Sequence, residues 1–299
     1  MYKTGGHFHY VHMSDDVDEL DRWYERVLGA RRWGPKSYMA AEKRDASSLS
    51  ISTFAVETMA PAKVEGADLT TVGKFYKRFG RHLGTLGWYV ESVEDASTHL
   101  KGRNVRVYGV GGGTGGGSAM RVIFTHPLDT HGQWELMEPT AHWHEHDLRF
   151  SPSWSDASWR SGPMGIMNGS HFTVVVRDLE KAKSAYMEYA GSRVIREEQN
   201  KGAQTECVFV AVGEGTVVEL ARPTSEQSLA GQDLAKNGEL LHAVTWRVKD
   251  AKAAKEHLRR LNVRVEDRDA ETFIMNPDDS FGAVLQFTQR DILRTPPSR

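Results

Sequence analysis

A chain of 299 residues with 38 basic and 40 acidic side chains carries a formal charge of only −2, so nothing draws it toward nucleic acid or an anionic membrane. The length suffices for two domains, since chains of this size bury about 75% of their unfolded surface. The single cysteine, Cys207, rules out an internal disulfide, and without a signal-like start or an apolar run of about 18 residues the expectation is a soluble cytoplasmic protein.

The first segment, "HYVHMSDDVDELDRWYERVLG" from His9 to Gly29, reads as a strand, an Asp16 N-cap and a helix. Val17, Leu20, Trp23, Tyr24, Val27 and Leu28 fall at helical spacing, and Gly29 stops the helix. "SLSISTFAVETMAP" then alternates as a strand delivering Glu57. Residues 62–81 form a polar, partly helical link whose Phe75, Tyr76 and Phe79 pack one helix face. "GWYVESVEDASTHLKGRNVRV" (Gly87 to Val107) is again strand, helix and strand. "GVGGGTGGGS" (Gly109 to Ser118) lacks the Gly-Lys-Ser/Thr ending and following helix of a phosphate loop, and reads as a flap near a cleft. "QWELMEP" places Glu135 four residues before Pro139. "AHWHEHD" sets His142, His144 and His146 at alternate positions, a solvated linker with adventitious metal affinity. With Trp154 and Trp159 close behind, that linker is too aromatic to be a free tether and is expected to pack on a domain surface.

The second half repeats the first. "HFTVVVRDLEKAKSAYMEYAG" matches the opening segment at an offset of 162, pairing His9 with His171, Asp16 with Asp178, Tyr24 with Tyr186 and Gly29 with Gly191. Its helix presents Leu179, Ala182, Ala185, Tyr186 and Tyr189. Glu57 and Pro61 find Glu219 and Pro223 at the same offset. "TWRVKDAKAAKEHLRRLNVRV" matches Gly87 to Val107 at an offset of 158. Four modules therefore pair into two domains, about 1–140 (modules 5–61 and 82–139) and 165–290 (modules 168–223 and 240–290), joined by a linker 141–164. Cys207, in the apolar run "ECVFVAV", reads as an inert buried thiol, and "DILRTPPSR" as a frayed tail.

Tandem strand-helix-three-strand modules that begin with His and end in "ELxxP" resemble the vicinal oxygen chelate superfamily, which holds glyoxalase I, methylmalonyl-CoA epimerase, extradiol dioxygenases and bleomycin-resistance proteins. The resemblance spans about His7 to Gln289 and implies an α+β fold: tandem βαβββ modules paired into two domains, each a curved, eight-stranded, incompletely closed barrel-like mixed sheet. It implies a divalent metal (Fe, Mn, Zn, Ni or Co) inside the sheet, held from the first and last strands of each module. Carried over, those positions are His9, Glu57, Thr85 and Glu135 in the first half, where "HPLDTHGQWELMEP" also resembles the epimerase ending. In the second half they are His171, Glu219, Ala243 and Gln286. His9, Glu57 and Glu135 are thus the expected metal ligands, with His171, Glu219 and Gln286 as secondary candidates. His242 and His82 are expected to point away from the sites on pleat geometry, unless a bulge shifts the strand.

One imidazole and two carboxylates suit such an ion and leave positions open for substrate oxygens. Buried carboxylates without a counter-charge are costly, so the cluster argues for a cation. The resemblance then implies a lyase, isomerase or hydrolase acting on a small oxygenated substrate, with enolate-like charge stabilised by the metal and Glu135, or else Glu57, as base. Two alternatives stay open: an extradiol ring-cleaving dioxygenase, for which Gln286 stands where a Glu is needed, and a non-catalytic binder of an apolar ligand. A small-molecule partner is expected, and a homodimer is compatible with the family.

Overall fold

In the computed structural model, which describes residues 2–109, 122–139 and 146–293, two twisted sheets lie side by side. The first is built from β1 (Thr4–Met13), β2 (Arg31–Arg32), β3 (Ser37–Met39), β4 (Arg44–Ile51), β5 (Phe54–Pro61), β6 (His82–Val90), β7 (Val107–Gly109), β8 (Val122–Thr125) and β9 (Trp134–Met137). Its order is β2-β4-β5-β1-β6-β9-β8-β7, with β3 also on β4. The second holds β10 (Ile166–Val175), β11 (Arg193–Asn200), β12 (Thr205–Val212), β13 (Thr216–Pro223), β14 (Leu240–Val248), β15 (Val265–Asp267), β16 (Thr272–Met275) and β17 (Val284–Thr288), in the order β11-β12-β13-β10-β14-β17-β16-β15. In each sheet the first strands of its two modules pair antiparallel at the centre, β1 with β6 and β10 with β14. Each central strand also pairs parallel with its own module's last strand. This is the expected α+β architecture of paired βαβββ modules, with neither sheet closed into a barrel.

Local chemistry sets the repeated unit. Asp16 and Asp178 accept hydrogen bonds from the backbone N–H groups of Glu19 and Lys181, and Gly29 and Gly191 both take φ 64°, the left-handed stop that favours glycine. The helix Val17–Leu28 buries Val17, Leu20, Trp23, Tyr24, Val27 and Leu28, as its spacing predicts. In Leu179–Ala190 the small residues Ala182 and Ala185 are buried beside Tyr186, with Leu179 and Tyr189 half-buried at the edge.

One hydrophobic core runs through both halves, from Tyr10, Leu49 and Phe54 to Phe172, Val218 and Trp246. Phe54 stacks on Phe172 at 4.2 Å, and a Cβ on Gly169 would sit 2.3 Å from the Phe54 ring, so only glycine admits this approach. Polar ties cross the same seam. His131 donates to Glu239 at 2.7 Å, Trp134 Nε1 to the Tyr186 hydroxyl at 3.2 Å, and His12 Nε2 to the Phe281 carbonyl at 3.1 Å.

Two expectations are corrected. "SLSISTFAVETMAP" is not one strand but a hairpin, turning at Ser52 (φ 53°) between β4 and β5. No glycine marks the turn, which is why alternation ran through it; the equivalent turn of the second half does use Gly213 and Gly215. The tail is not frayed from its start: Ile292 is buried against Cys207, Phe209 and Val217, and Asp291 pairs with Arg247 at 2.7 Å. The linker does pack, with Trp159 buried and Arg31 stacked on its ring, although His142 and His144 lie outside the described residues and His146 is exposed. The glycine-rich run beyond Gly109 also lies outside them. Among the described residues no helix is long and apolar enough to cross a membrane.

Candidate functional site

Strand parity decides which side chains enter the concave face of the first sheet. On β1 the odd positions His9, Val11 and Met13 face inward, while Tyr10 and His12 turn to the helix, where His12 bonds Tyr24. Across the parallel ladder Val11 sits beside Glu57, and on the far side β9 brings in Glu135 beside Gly87. His9 Nε2 donates to Glu135 Oε2 at 2.9 Å and lies 3.7 Å from Glu57 Oε2. All three groups are buried, so three residues from three strands and 126 positions of sequence converge on one point.

A fourth charged group there was not foreseen. Arg44, at the start of β4, reaches into the cup and donates from Nη1 to Glu57 Oε1 at 2.8 Å, while its Nε donates to Glu42. Arg44 is buried, and although desolvation works against its charge, Glu57 and then Glu42 hold it firmly protonated. Burial pushes the Glu57 carboxyl up, but Arg44 and His9 outweigh it and hold it below the usual carboxylate range. For His9, burial pulls the imidazole down, whereas Glu135 as charge and acceptor, and Glu57 beyond it, raise it above its ordinary value. The floor of the cup is therefore ionic. The only sequence signal for Arg44 was parity: Arg44, Ala46 and Ser48 share the face of Glu57, because Ser48 is its ladder partner.

This cluster opens onto a cavity of about 520 Å³. Met13, Met59, Val72 and Phe75 form an apolar wall, the last two from the helix Thr71–Phe79. Thr85, on the bulged stretch of β6, also lines it and donates to Gln133 at 2.8 Å.

The second half brings its candidates together without the charge. His171 Nε2 is 3.6 Å from Glu219 Oε2, but Glu219 accepts from the Thr173 hydroxyl at 2.5 Å, and no Lys or Arg among the described residues is seen paired with it. Burial pushes Glu219 up, and burial with the Arg196 charge holds His171 down at about 3. His171 is therefore neutral near pH 7. Gln286 donates to Thr245 at 3.2 Å, and the cavity it shares with Glu219 and Ala243 is only about 30 Å³.

His242 meets neither expectation fully. The β10–β14 register slips between Thr173 and Val174, so a bulge does shift the strand at His242. The ring reaches the edge of the small cavity, but its Nδ1 donates to Asp233 at 2.6 Å. His82, from the other half, donates to the second oxygen of Asp233 at 3.0 Å and to the Leu83 carbonyl at 2.6 Å. The two histidines thus share a carboxylate at the seam.

The donor set of the first cup, one imidazole and two carboxylates, suits a divalent ion in its chemistry. Neighbouring ligands about 2.1 Å from one ion lie about 3 Å apart, and the separations of 2.9 and 3.7 Å bracket that value. Among the described residues no group of three or more His, Cys, Asp or Glu is arranged to hold a metal ion, so ion binding requires that the His9–Glu135 hydrogen bond be given up. The expectation that the carboxylates lack a counter-charge is corrected: Arg44 supplies one for Glu57.

Comparison with known proteins agrees with the fold. The family model described as Glyoxalase/Bleomycin resistance protein/Dioxygenase superfamily matches residues 170–274. A triple mutant of 4-hydroxymandelate synthase from Streptomyces coelicolor superposes over 99% of this chain and 95% of its own, at 14% identity and a TM-score of 0.65. Methylmalonyl-CoA epimerase from Mycobacterium tuberculosis is 24% identical over 41% of this chain and 87% of its own, with a TM-score of 0.39. No curated protein sequence matches the chain.

Proposed function

We propose that this chain, whose fold and second-half sequence are those of the glyoxalase/bleomycin resistance/dioxygenase superfamily, is a divalent-metal-dependent lyase, isomerase or hydrolase working in its first cup. The observation that carries the reading is the convergence of His9, Glu57 and Glu135 at the floor of the large cavity. These three would hold the ion, which when bound supplies a Lewis acid for neighbouring oxygens of a small substrate. The chain's own groups do the rest. Arg44 fixes Glu57 from the side away from His9 and keeps it ionised. Glu135, whose Oε2 now accepts the His9 proton, is the group placed to take a proton from substrate beside the ion. The Met13–Met59–Phe75 wall excludes water from the bound substrate.

Metal content of tag-free protein tests the first step. About one ion per chain is expected in wild type and none in His9→Ala, whereas Glu135→Gln should keep at least part of the metal and lose about 10²- to 10⁴-fold in rate. Dioxygen consumption matched to turnover would replace this reading with ring cleavage. Ligand binding by metal-free protein without conversion would make it a binding module.

A further inference from the structure

The Arg44 guanidinium has two carboxylate partners of different character. Glu57 lies within β5, is almost fully buried and is also engaged by His9. Glu42 sits on the turn between β3 and β4, where Glu42 N bonds Met39 O and Lys43 takes φ 47°, and its side chain is 38% exposed. Both glutamates line the cavity, and Arg44 is the one Lys or Arg among the described residues that line it.

We infer that the first cavity takes a monocarboxylate with an apolar body, and that Glu42 occupies the substrate carboxylate's place on Arg44 until the substrate arrives. This rests on the first cup being the active site, but not on the metal.

Three observations converge. A guanidinium fork fits a planar carboxylate in two-point fashion, and the Nε side of Arg44 is given to Glu42, the more exposed of its two partners, which also lines the cavity. The charge count selects the substrate. Glu42 is one of two carboxylates on Arg44, so an entering monoanion that displaces it exchanges one negative charge for another beside the guanidinium. A phosphate dianion would add a negative charge beside two buried carboxylates, which is costly. A neutral ligand would leave Glu42 where it is. Beyond the charged end, the Met13, Met59, Val72 and Phe75 wall offers only apolar contact, and the volume is in the usual range for a drug-sized ligand. Glu42 is the displaceable partner because its carboxylate is part-exposed and can return to water, while Glu57 is buried and held from two sides.

The test uses the full chain and three probes of one shape: 3-phenylpropanoate, 3-phenylpropanamide and 2-phenylethylphosphonate. Binding is measured by calorimetry, once in EDTA and once with zinc. Wild type should prefer the carboxylate over the amide and the phosphonate. Glu42→Gln should tighten the carboxylate about two- to fivefold by removing its competitor, without changing the amide. Arg44→Met should weaken the carboxylate about ten- to hundredfold and leave the amide alone. Should Arg44→Met not fold, Arg44→Lys, which keeps the charge and loses the fork, and Glu42→Gln carry the test. Equal binding of acid and amide, tightest binding of the phosphonate, or no response to Glu42→Gln overturns the proposal. The two buffers separate the two readings. Carboxylate preference in both buffers without zinc uptake sinks only the metal reading, and zinc uptake without the preference sinks only this one.

Discussion

The two cups start from the same histidine and glutamate at the same strand positions, and their surroundings push those groups in opposite directions. In the first, Arg44 faces Glu57 and the floor is ionic beneath about 520 Å³ of space. In the second, the ladder places Thr205, Cys207 and Phe209 where the first has Arg44, Ala46 and Ser48, because Thr205 pairs with Pro223 as Arg44 pairs with Pro61. Removing the cation leaves Glu219 to a hydroxyl, and replacing Ser48 by Phe209 puts a ring 5.3 Å from His171. Ile292 then closes over Phe209. A buried histidine-glutamate pair is thus not a site in itself: a neighbouring charge and an open volume decide whether it stays ionised and reachable.

The largest expected effect is on function. His171→Ala and Glu219→Gln should leave metal content and turnover as in wild type, in contrast to the losses expected of His9→Ala and Glu135→Gln. Metal analysis and rates for the four variants decide it, and an equal loss from either half would erase the distinction. Next in size is packing. Phe209→Ala should destabilise the protein by about 3–5 kcal/mol through the cavity it leaves, measured by urea unfolding. A cost under about 1 kcal/mol would mean that Phe209 is not what fills the second cup. Ending the chain before Asp291 should cost less, about 1.5–3 kcal/mol for the buried Ile292 side chain. Unchanged stability would show that the tail does not close the cup.

The smallest effect, and the sharpest in sign, is on pH dependence in EDTA. His171 is held at about 3, below the unfolded value near 6.5, so the unfolded chain takes up its proton first. Its contribution is lost as pH falls from about 6.5 toward 3, at up to about 1.4 kcal/mol per pH unit. His9 is raised, so its contribution is present below about 6.5 and lost as pH rises through its folded value. Thermal midpoints against pH should therefore show His171→Gln flattening the acid limb and His9→Gln the alkaline limb. The same sign for both would break the contrast.

What the sequence determined by itself was the repeated frame. Caps at Asp16 and Asp178, glycine stops at Gly29 and Gly191, and helical spacing between them are local rules, and they hold in the structure because the backbone enforces them within a few residues. The offset of 162 also placed His9 and Glu57, and the likeness of "QWELMEP" to "VETMAP" placed Glu135. What only the tertiary structure decided was everything that depends on who stands opposite whom. The hairpin at Ser52 set the register that aims Arg44 at Glu57. The bulge at His242 turned that ring to Asp233, and the fold of the tail brought Ile292 onto Cys207 and Phe209. Register, bulges and docking are fixed by long-range pairing and by the packing of the whole core, and a shift of one residue exchanges the inward and outward faces of a strand. Electrostatics follows from that placement, so of two halves that read alike along the chain only the first sets an arginine against its buried glutamate.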